Sequence, residues 1–135
     1  MGFERFPLGL KRNRGKKTPA QKRADRAKKS GKCGGAASQL TIGNTVITDV
    51  SGKKRDLLPE VQKALDNVPL EDRAPWHGHC AEVGCVNQAR KKGMDTTGGH
   101  SDAVNVGGDK HGQHKKACSS CRAFLPQFGI CHDDE

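Results

Sequence analysis

Three cysteines and one glutamate limit how this chain can fold more than any other feature. Cys80 and Glu82 are separated by a single residue, and Cys118 and Cys121 follow further along as a Cys-x-x-Cys pair. Thiolates are good zinc ligands, and three of them leave the fourth position of a tetrahedral site open for water. A fold that uses these residues together must bring two distant segments to one place.

The spacing inside each segment suits the start of a helix. A residue two positions after Cys80 lies about 200° further round a helix of ~3.6 residues per turn, so Glu82 need not compete for the metal. At a helix start, its carboxylate can reach the open position and move protons. Cys118 and Cys121 fall on one helical face or on one turn at a helix N-terminus, where the helix dipole favours thiolate over thiol.

Read together, the segments 76–83 and 118–121 resemble the YwqJ-like deaminases of the cytidine deaminase-like superfamily. Zinc-dependent nucleobase deaminases share the order His or Cys, any residue, Glu, and then Cys-x-x-Cys. The resemblance extends over roughly residues 36–131. One departure is Ala117, because many deaminases have proline immediately before the Cys-x-x-Cys pair.

The resemblance implies an α/β protein with the three-layer cytidine deaminase-like fold, in which a small mixed sheet carries the zinc site at the N-termini of two helices. It implies that Cys80, Cys118 and Cys121 bind Zn²⁺ and that Glu82 is the catalytic proton shuttle. The expected reaction converts cytosine to uracil in nucleic acid. Single-stranded DNA is preferred over a duplex, because a paired base must first be unstacked.

The same resemblance carries an expectation about biological setting. Many members of the family are toxin domains of bacteria. The chain is therefore expected to be an effector that is delivered into the cytoplasm of a target cell, with an immunity protein as a partner. The sequence shows no secretory signal at its N-terminus, and no apolar run approaches the ~20 residues of a membrane span, so no membrane partner is expected.

Positive charge is concentrated near the N-terminus. The net charge of +9 comes almost entirely from residues 11–32, where Asp25 is the single acidic residue. The chain is therefore divided into a basic arm or linker over 1–35 and a catalytic domain over 36–135, with a glycine-rich hinge at 33–38. The arm either contacts nucleic-acid phosphates or is a solvated linker. Its candidate phosphate contacts are Lys11, Arg12, Arg14, Lys16 and Lys17.

Hydrophobic spacing and turn residues predict the remaining elements. A helix capped by Thr18 can begin at Pro19, although it would be charged on every face. Gly84 permits the close approach of another element. The predicted elements are a hairpin over 39–51 turning at Gly43-Asn44, helices over 57–68 and 79–92, a strand over 103–106, a helix over 118–128 that Pro126 kinks, and a last strand from Ile130.

Four residues beside the ligands are candidate substrate contacts. Trp76 is the single tryptophan of the chain, and it either stacks on a base or fixes its loop in the core. His77 and His79 either line the pocket or support the ligands. Asn44 either binds a sugar or is an ordinary turn residue. The loop over 109–116, directly before the second cysteine pair, is expected to border the pocket mouth.

Three other interpretations use the same cysteines. A free-nucleoside deaminase is the enzymatic alternative. A structural zinc module that binds nucleic acid without chemistry would need Cys85 as a fourth ligand. Cys85 lies about 140° round the helix from Cys80, however, and is predicted to be a buried apolar side chain. A disulfide-stabilised secreted domain would bind no metal at these thiols.

Overall fold

The computed structural model describes residues 16–52 and 55–132, which form a small α/β structure. The described elements are α1 (Pro19–Lys29), β1 (Ala36–Ile42), β2 (Thr45–Val50), α2 (Pro59–Asp66), a 3-10 turn at Leu70–Asp72, α3 (Ala81–Lys91), β3 (His100–Asn105), α4 (Ser119–Phe124), a 3-10 turn at Leu125–Phe128 and β4 (Cys131–His132). Among these helices, none is long and apolar enough to cross a membrane.

Four strands form one mixed sheet in the order β2-β1-β3-β4. β1 pairs antiparallel with both β2 and β3, whereas β3 and β4 are parallel. Among the described strands, β1 therefore runs opposite to the other three. The chain crosses from β2 to β3 through α2 and α3, and from β3 to β4 through α4.

Helices cover both faces of this sheet. Successive side chains along a strand point to opposite faces, so Ala37 packs in the cluster of α1 whereas Leu40 packs in the cluster of α3. The central strand β1 is thus covered on both sides. The larger core lies on the α3 side, where its biggest buried side chains include Leu40, Leu65, Val83, Val86, Phe124 and Leu125.

Helix α1 is part of the packed structure. Thr18 and Gln21 form the predicted helix cap, in which each side chain accepts a hydrogen bond from the other residue's amide. Ala20 and Ala24 are 1% and 0% exposed. These two alanines form a narrow apolar stripe on a helix that is otherwise charged. The stripe packs on the sheet.

This packing joins the two parts into which the sequence was divided. The apolar cluster under α1 contains Ala37, Val50 and Val104 from the sheet. The Ala20 amide also donates to Gln39 Oε1 of β1 at 3.0 Å. The described part of the arm predicted over 1–35 therefore shares a core with the domain predicted over 36–135.

The predicted elements are present, and several of their ends are shifted. α2 begins at Pro59 instead of residue 57, because proline suits the first helical position and the Leu58 amide donates to Asn87 of α3. β3 starts at His100, earlier than the predicted 103, because the strand continues its pairing as far as Thr41 of β1. The helix predicted over 118–128 is divided at Phe124, with Pro126 in the following 3-10 turn.

α3 comes closest to the hairpin at Gly84, as the sequence predicted. A Cβ atom there would lie 2.0 Å from Asp49 Oδ2 and 2.6 Å from Arg55 Nε. Asp49 is 5% exposed, and it accepts a hydrogen bond from Arg55 Nε at 3.2 Å. Gln88 of α3 donates to the same carboxylate oxygen. This buried ion pair fills the space that any larger residue at position 84 would need.

We expect Gly84→Ala to destabilise the protein. At an exposed position inside a helix, a change from glycine to alanine stabilises the helix by up to about 1 kcal/mol. Here the added methyl group must displace the Asp49–Arg55 pair, so we expect the free energy of unfolding to fall by about 1–3 kcal/mol. Urea denaturation measures the change. Gly34→Ala is the control, because nothing lies within 4 Å of a Cβ atom at Gly34. An unchanged or higher stability for Gly84→Ala would contradict this account of the close approach.

Candidate metal centre

The three predicted ligands meet at the N-termini of two helices. Cys80 directly precedes α3, and Cys118 directly precedes α4. Cys121 lies in the first turn of α4. The three sulfur atoms all lie within 4.8 Å of one another, and those of Cys80 and Cys118 are 3.3 Å apart. The convergence of the two segments, which the sequence predicted, is confirmed.

The positions of the sulfur atoms fit tetrahedral coordination of a metal ion. A metal–sulfur distance of about 2.3 Å places the sulfurs of a tetrahedral zinc site roughly 3.8 Å apart. The Cys80–Cys118 separation of 3.3 Å is somewhat shorter than that value, and the limit of 4.8 Å on all three separations is compatible with it. Cys80 and Cys121 are buried, whereas Cys118 is partly exposed. Three thiolates select thiophilic ions, among them Zn²⁺, and they leave a fourth direction open.

The three thiols hold their protons unequally. Hydrogen bonds from the Cys121 and Cys80 thiols lower the pKa of Cys118, and the Cys121 amide and the Trp76 indole act in the same direction. The hydrogen bond to Cys118 raises the pKa of Cys80 and that of Cys121, and burial raises both further. Cys118 is therefore the thiol that loses its proton first.

Glu82 lies beside this cluster. It is the second residue of α3 and is 6% exposed. Its negative charge contributes to the raised pKa of Cys80 and of Cys121, after the larger effects of the Cys118 hydrogen bond and of burial. Because Glu82 lines the same cavity as Cys80 and Cys118, it is placed to exchange a proton with a group held there.

A cavity of about 470 Å³ opens beside the cysteines. Its volume lies in the range of about 300–1,000 Å³ that is usual for small-molecule sites. Trp76 borders the cavity and is 51% exposed, so its interpretation as a core residue is wrong. His79 also lines the cavity.

Three lysines line the same cavity. Lys115 and Lys116 come from the loop before α4, so this loop borders the cavity, as predicted. Lys32 follows α1 in the chain. Its place at the cavity could not be predicted from the sequence, because it depends on the packing of α1. Together the lysines make the cavity suitable for an anionic ligand.

His77 supports the cluster and does not line the cavity. Its Nε2 lies 3.0 Å from the Leu65 carbonyl oxygen, and its Nδ1 lies 2.9 Å from Ser120 Oγ. Because a carbonyl only accepts, neutral His77 donates from Nε2 and accepts the Ser120 hydroxyl proton at Nδ1. Ser120 Oγ also accepts from the Ala74 amide at 2.7 Å. Both ring nitrogens are therefore used within the protein, which agrees with the alternative that His77 supports the ligands.

The hydrogen-bonding role of Ser120 was missed from the sequence. It stands inside the Cys-x-x-Cys pair and is 1% exposed. Its hydroxyl joins the loop before Cys80 to the first turn of α4, so it fixes one cysteine segment relative to the other. The signal in the sequence that could have indicated the role of Ser120 is a small polar residue between the two cysteines, in the first turn of a predicted helix.

The other candidate residues that the structure describes do not line the cavity. Asn44 is exposed in the hairpin turn and does not line the cavity, in agreement with a turn residue. Lys16 is exposed, and Lys17 pairs with Asp25. The remaining candidate phosphate contacts, Lys11, Arg12 and Arg14, lie outside the described residues.

Cys85 lies outside the cluster. Its thiol donates to the carbonyl oxygens of Ser38 and Ile47 at 3.6 and 3.5 Å. It is 1% exposed, and burial raises its pKa. Cys85 is thus the buried side chain that the sequence predicted, and it does not complete a four-thiolate site. The six cysteines all fall within 16–52 and 55–132, and they are free thiols there.

Comparisons with known proteins identify no relative of this chain. No family model, no curated protein and no solved structure matches the chain. The fold and the site define an α/β protein whose small mixed sheet carries a three-cysteine cluster at two helix N-termini. That cluster is compatible with a zinc site.

We expect Ser120→Ala to lower the free energy of unfolding by about 1–3 kcal/mol, because the Ala74 amide and His77 Nδ1 lose their common partner. Chemical denaturation of the full chain measures the loss. Ser119→Ala is the matched control, since Ser119 is the exposed neighbour, and we expect it to stay within about 0.5 kcal/mol of the parent protein. Equal stability of the two variants would show that this network does not hold α4.

Proposed function

We propose that the protein is a zinc-dependent nucleobase deaminase that converts cytosine to uracil in nucleic acid. The proposal rests on one observation: the sulfurs of Cys80, Cys118 and Cys121 converge, and Glu82 lines the same cavity. Nucleobase deaminases use three such ligands together with a glutamate that does not bind the metal, in this order along the chain. We further propose that the helix-covered mixed sheet is the cytidine deaminase-like fold.

The proposed chemistry is divided between the metal and the side chains of this chain. Zinc held by three thiolates would keep one position open and make water nucleophilic near neutral pH. With zinc bound, the Glu82 carboxylate would accept a proton from water in the cavity and would deliver protons to the base nitrogen and to the departing amine. One water is consumed, and the products are uracil and ammonia. The buried position of Glu82 keeps this proton exchange inside the cavity.

The surroundings of the cavity favour a nucleotide as substrate. The exposed ring of Trp76 offers a stacking surface, and such stacking is worth about 1–3 kcal/mol per base on single strands. Lys32, Lys115 and Lys116 line the same cavity, and their positive charge suits the phosphate groups on the sugar of a nucleotide. DNA and RNA both present these groups. A free nucleoside lacks the phosphate and would leave the lysines without a partner.

The biological setting is a further part of the proposal. It rests on the resemblance of the two cysteine segments to YwqJ-like deaminases, many of which are toxin domains. We propose that the protein acts as an effector in the cytoplasm of a target cell and that an immunity protein binds and inhibits it. Co-purification with a candidate immunity protein, followed by loss of deamination, would test this part.

The variant Glu82→Gln separates metal binding from chemistry. We expect it to retain about one zinc ion per chain, because Glu82 is not a ligand. Conversion of cytosine to uracil should fall by about 10²- to 10⁴-fold, because the proton shuttle is lost. The measurements are metal analysis of the purified protein and conversion assays on single-stranded DNA, RNA and cytidine. A variant with full activity would remove Glu82 from the mechanism.

Cysteine variants provide the controls for metal binding. Cys118→Ser should lose the zinc, whereas Cys85→Ala should retain it, because Cys85 is directed at backbone carbonyl groups. If the parent protein holds zinc but converts none of the substrates, the proposed deaminase is wrong. A zinc ion that required Cys85 would then favour the structural zinc module.

A further inference from the structure

The cavity beside the cysteines continues into a second depression along α1. This depression also has a volume of about 470 Å³, and it is lined by Arg23, Arg26 and Ser30. The two cavities share Lys32, Ser51 and Gly52. The two cavities therefore adjoin at these three residues, and together, as a combined groove, they extend from the cysteine cluster, past the end of β2, to the last turns of α1. The name α1 groove is used here for the part lined by Arg23, Arg26, Lys32, Ser51 and Gly52.

Lys32 occupies the place where the two cavities join. Its Nζ would lie 3.4 Å from a Cβ atom at Gly35 and 3.3 Å from one at Gly52. The ammonium group therefore lies close to the backbone of both glycines. A ligand that passes from one cavity to the other must pass this charge.

Almost all charged residues along the combined groove are positive. Among the described residues that line the two cavities, Glu82 is the single acidic one, and it is 6% exposed. Arg23 lies 3.9 Å from the buried Asp49, so part of its charge is compensated. The basic residues of the combined groove are Arg23, Arg26, Lys32, Lys115 and Lys116.

We infer that the α1 groove binds the sugar–phosphate backbone of a single-stranded polynucleotide on one side of the target base. The inference rests on the proposed function, because the target base is the one that enters the cavity beside Cys80. A strand whose base lies there must continue beyond the cavity, and the groove provides it with a positively charged path. Backbone-tracking grooves of this kind, with aromatic rings for stacking, are typical of proteins that bind single strands.

A free nucleoside does not account for this surface. It would fill the cavity beside the cysteines and would not reach Arg23 or Arg26 of α1. A base that remained paired and stacked in a duplex could not enter the cavity. The groove residues also differ from the basic residues singled out in the sequence, because they are held on a packed helix and on the segment that follows it. A polymer with an unpaired segment is therefore the ligand that uses the whole surface.

The double variant Arg26→Gln/Lys32→Gln tests the inference. Arg23 is left in place, because it lies beside Asp49. The matched control is Lys28→Gln/Lys29→Gln, which removes the same charge from exposed residues of α1 that do not line the groove. The probe is a fluorescently labelled single-stranded oligodeoxycytidylate. Its dissociation constant is measured by fluorescence anisotropy at several salt concentrations, with the full chain.

We expect the groove variant to bind the oligonucleotide about tenfold more weakly at low salt. The slope of log affinity against log salt should become shallower by about 1.4, because each phosphate contact on a single strand contributes about 0.7. The control should change much less in both respects. Equal losses in the two variants, or no loss in either, would overturn the inference, since binding would then depend on net charge or on another surface.

Conversion of cytosine in the oligonucleotide by the parent protein separates this inference from the proposed function. Weaker binding of the oligonucleotide by the groove variant, together with conversion by the parent protein, would support both. If no protein converts any substrate but the groove variant alone loses binding, the proposed function fails and the groove remains. If conversion is observed and the groove variant binds the oligonucleotide like the parent protein, the groove inference fails and the proposed function remains. Circular dichroism of both variants checks that they are folded.

Discussion

The close packing of α3 against β1 and β2 determines the geometry of the whole site. At Gly84 the helix lies directly against the buried Asp49–Arg55 pair, and one residue later the Cys85 thiol contacts backbone carbonyls of both strands. The helix can therefore neither rotate nor move away from the sheet without breaking buried polar contacts, which is costly. Cys80 and Glu82, at the beginning of the same helix, are held in place as a consequence.

The second half of the cluster is held in a different way. α4 has six residues, and isolated helices of that length are unstable in water. Its position depends on Phe124 in the core and on the hydrogen bonds of Ser120 with Ala74 and His77. One cysteine segment is thus fixed by close helix–sheet packing and the other by a small buried polar network. The three-cysteine cluster lies where the two supports meet.

Helix α1 connects the core to the charged surface. Two alanines on one side fill the space against the sheet, while Arg23 and Arg26 line the groove that leads to the cysteines. Without the alanine stripe the helix would be a solvated charged segment, as its composition alone indicates. Because α1 is packed on the sheet, its arginine side chains have a defined position relative to the cavity.

The sequence by itself determined the features that depend on short spacings. These include the cysteine set, the position of Glu82 two residues after Cys80, the hairpin turn at Gly43-Asn44 and the burial of Cys85, because helix and strand periods decide them locally. Only the tertiary structure decided that Trp76 is exposed, that His77 bonds to Ser120 and that Lys32 stands between two cavities. Each of these features depends on which distant segments pack together, and local spacing carries no information about that choice.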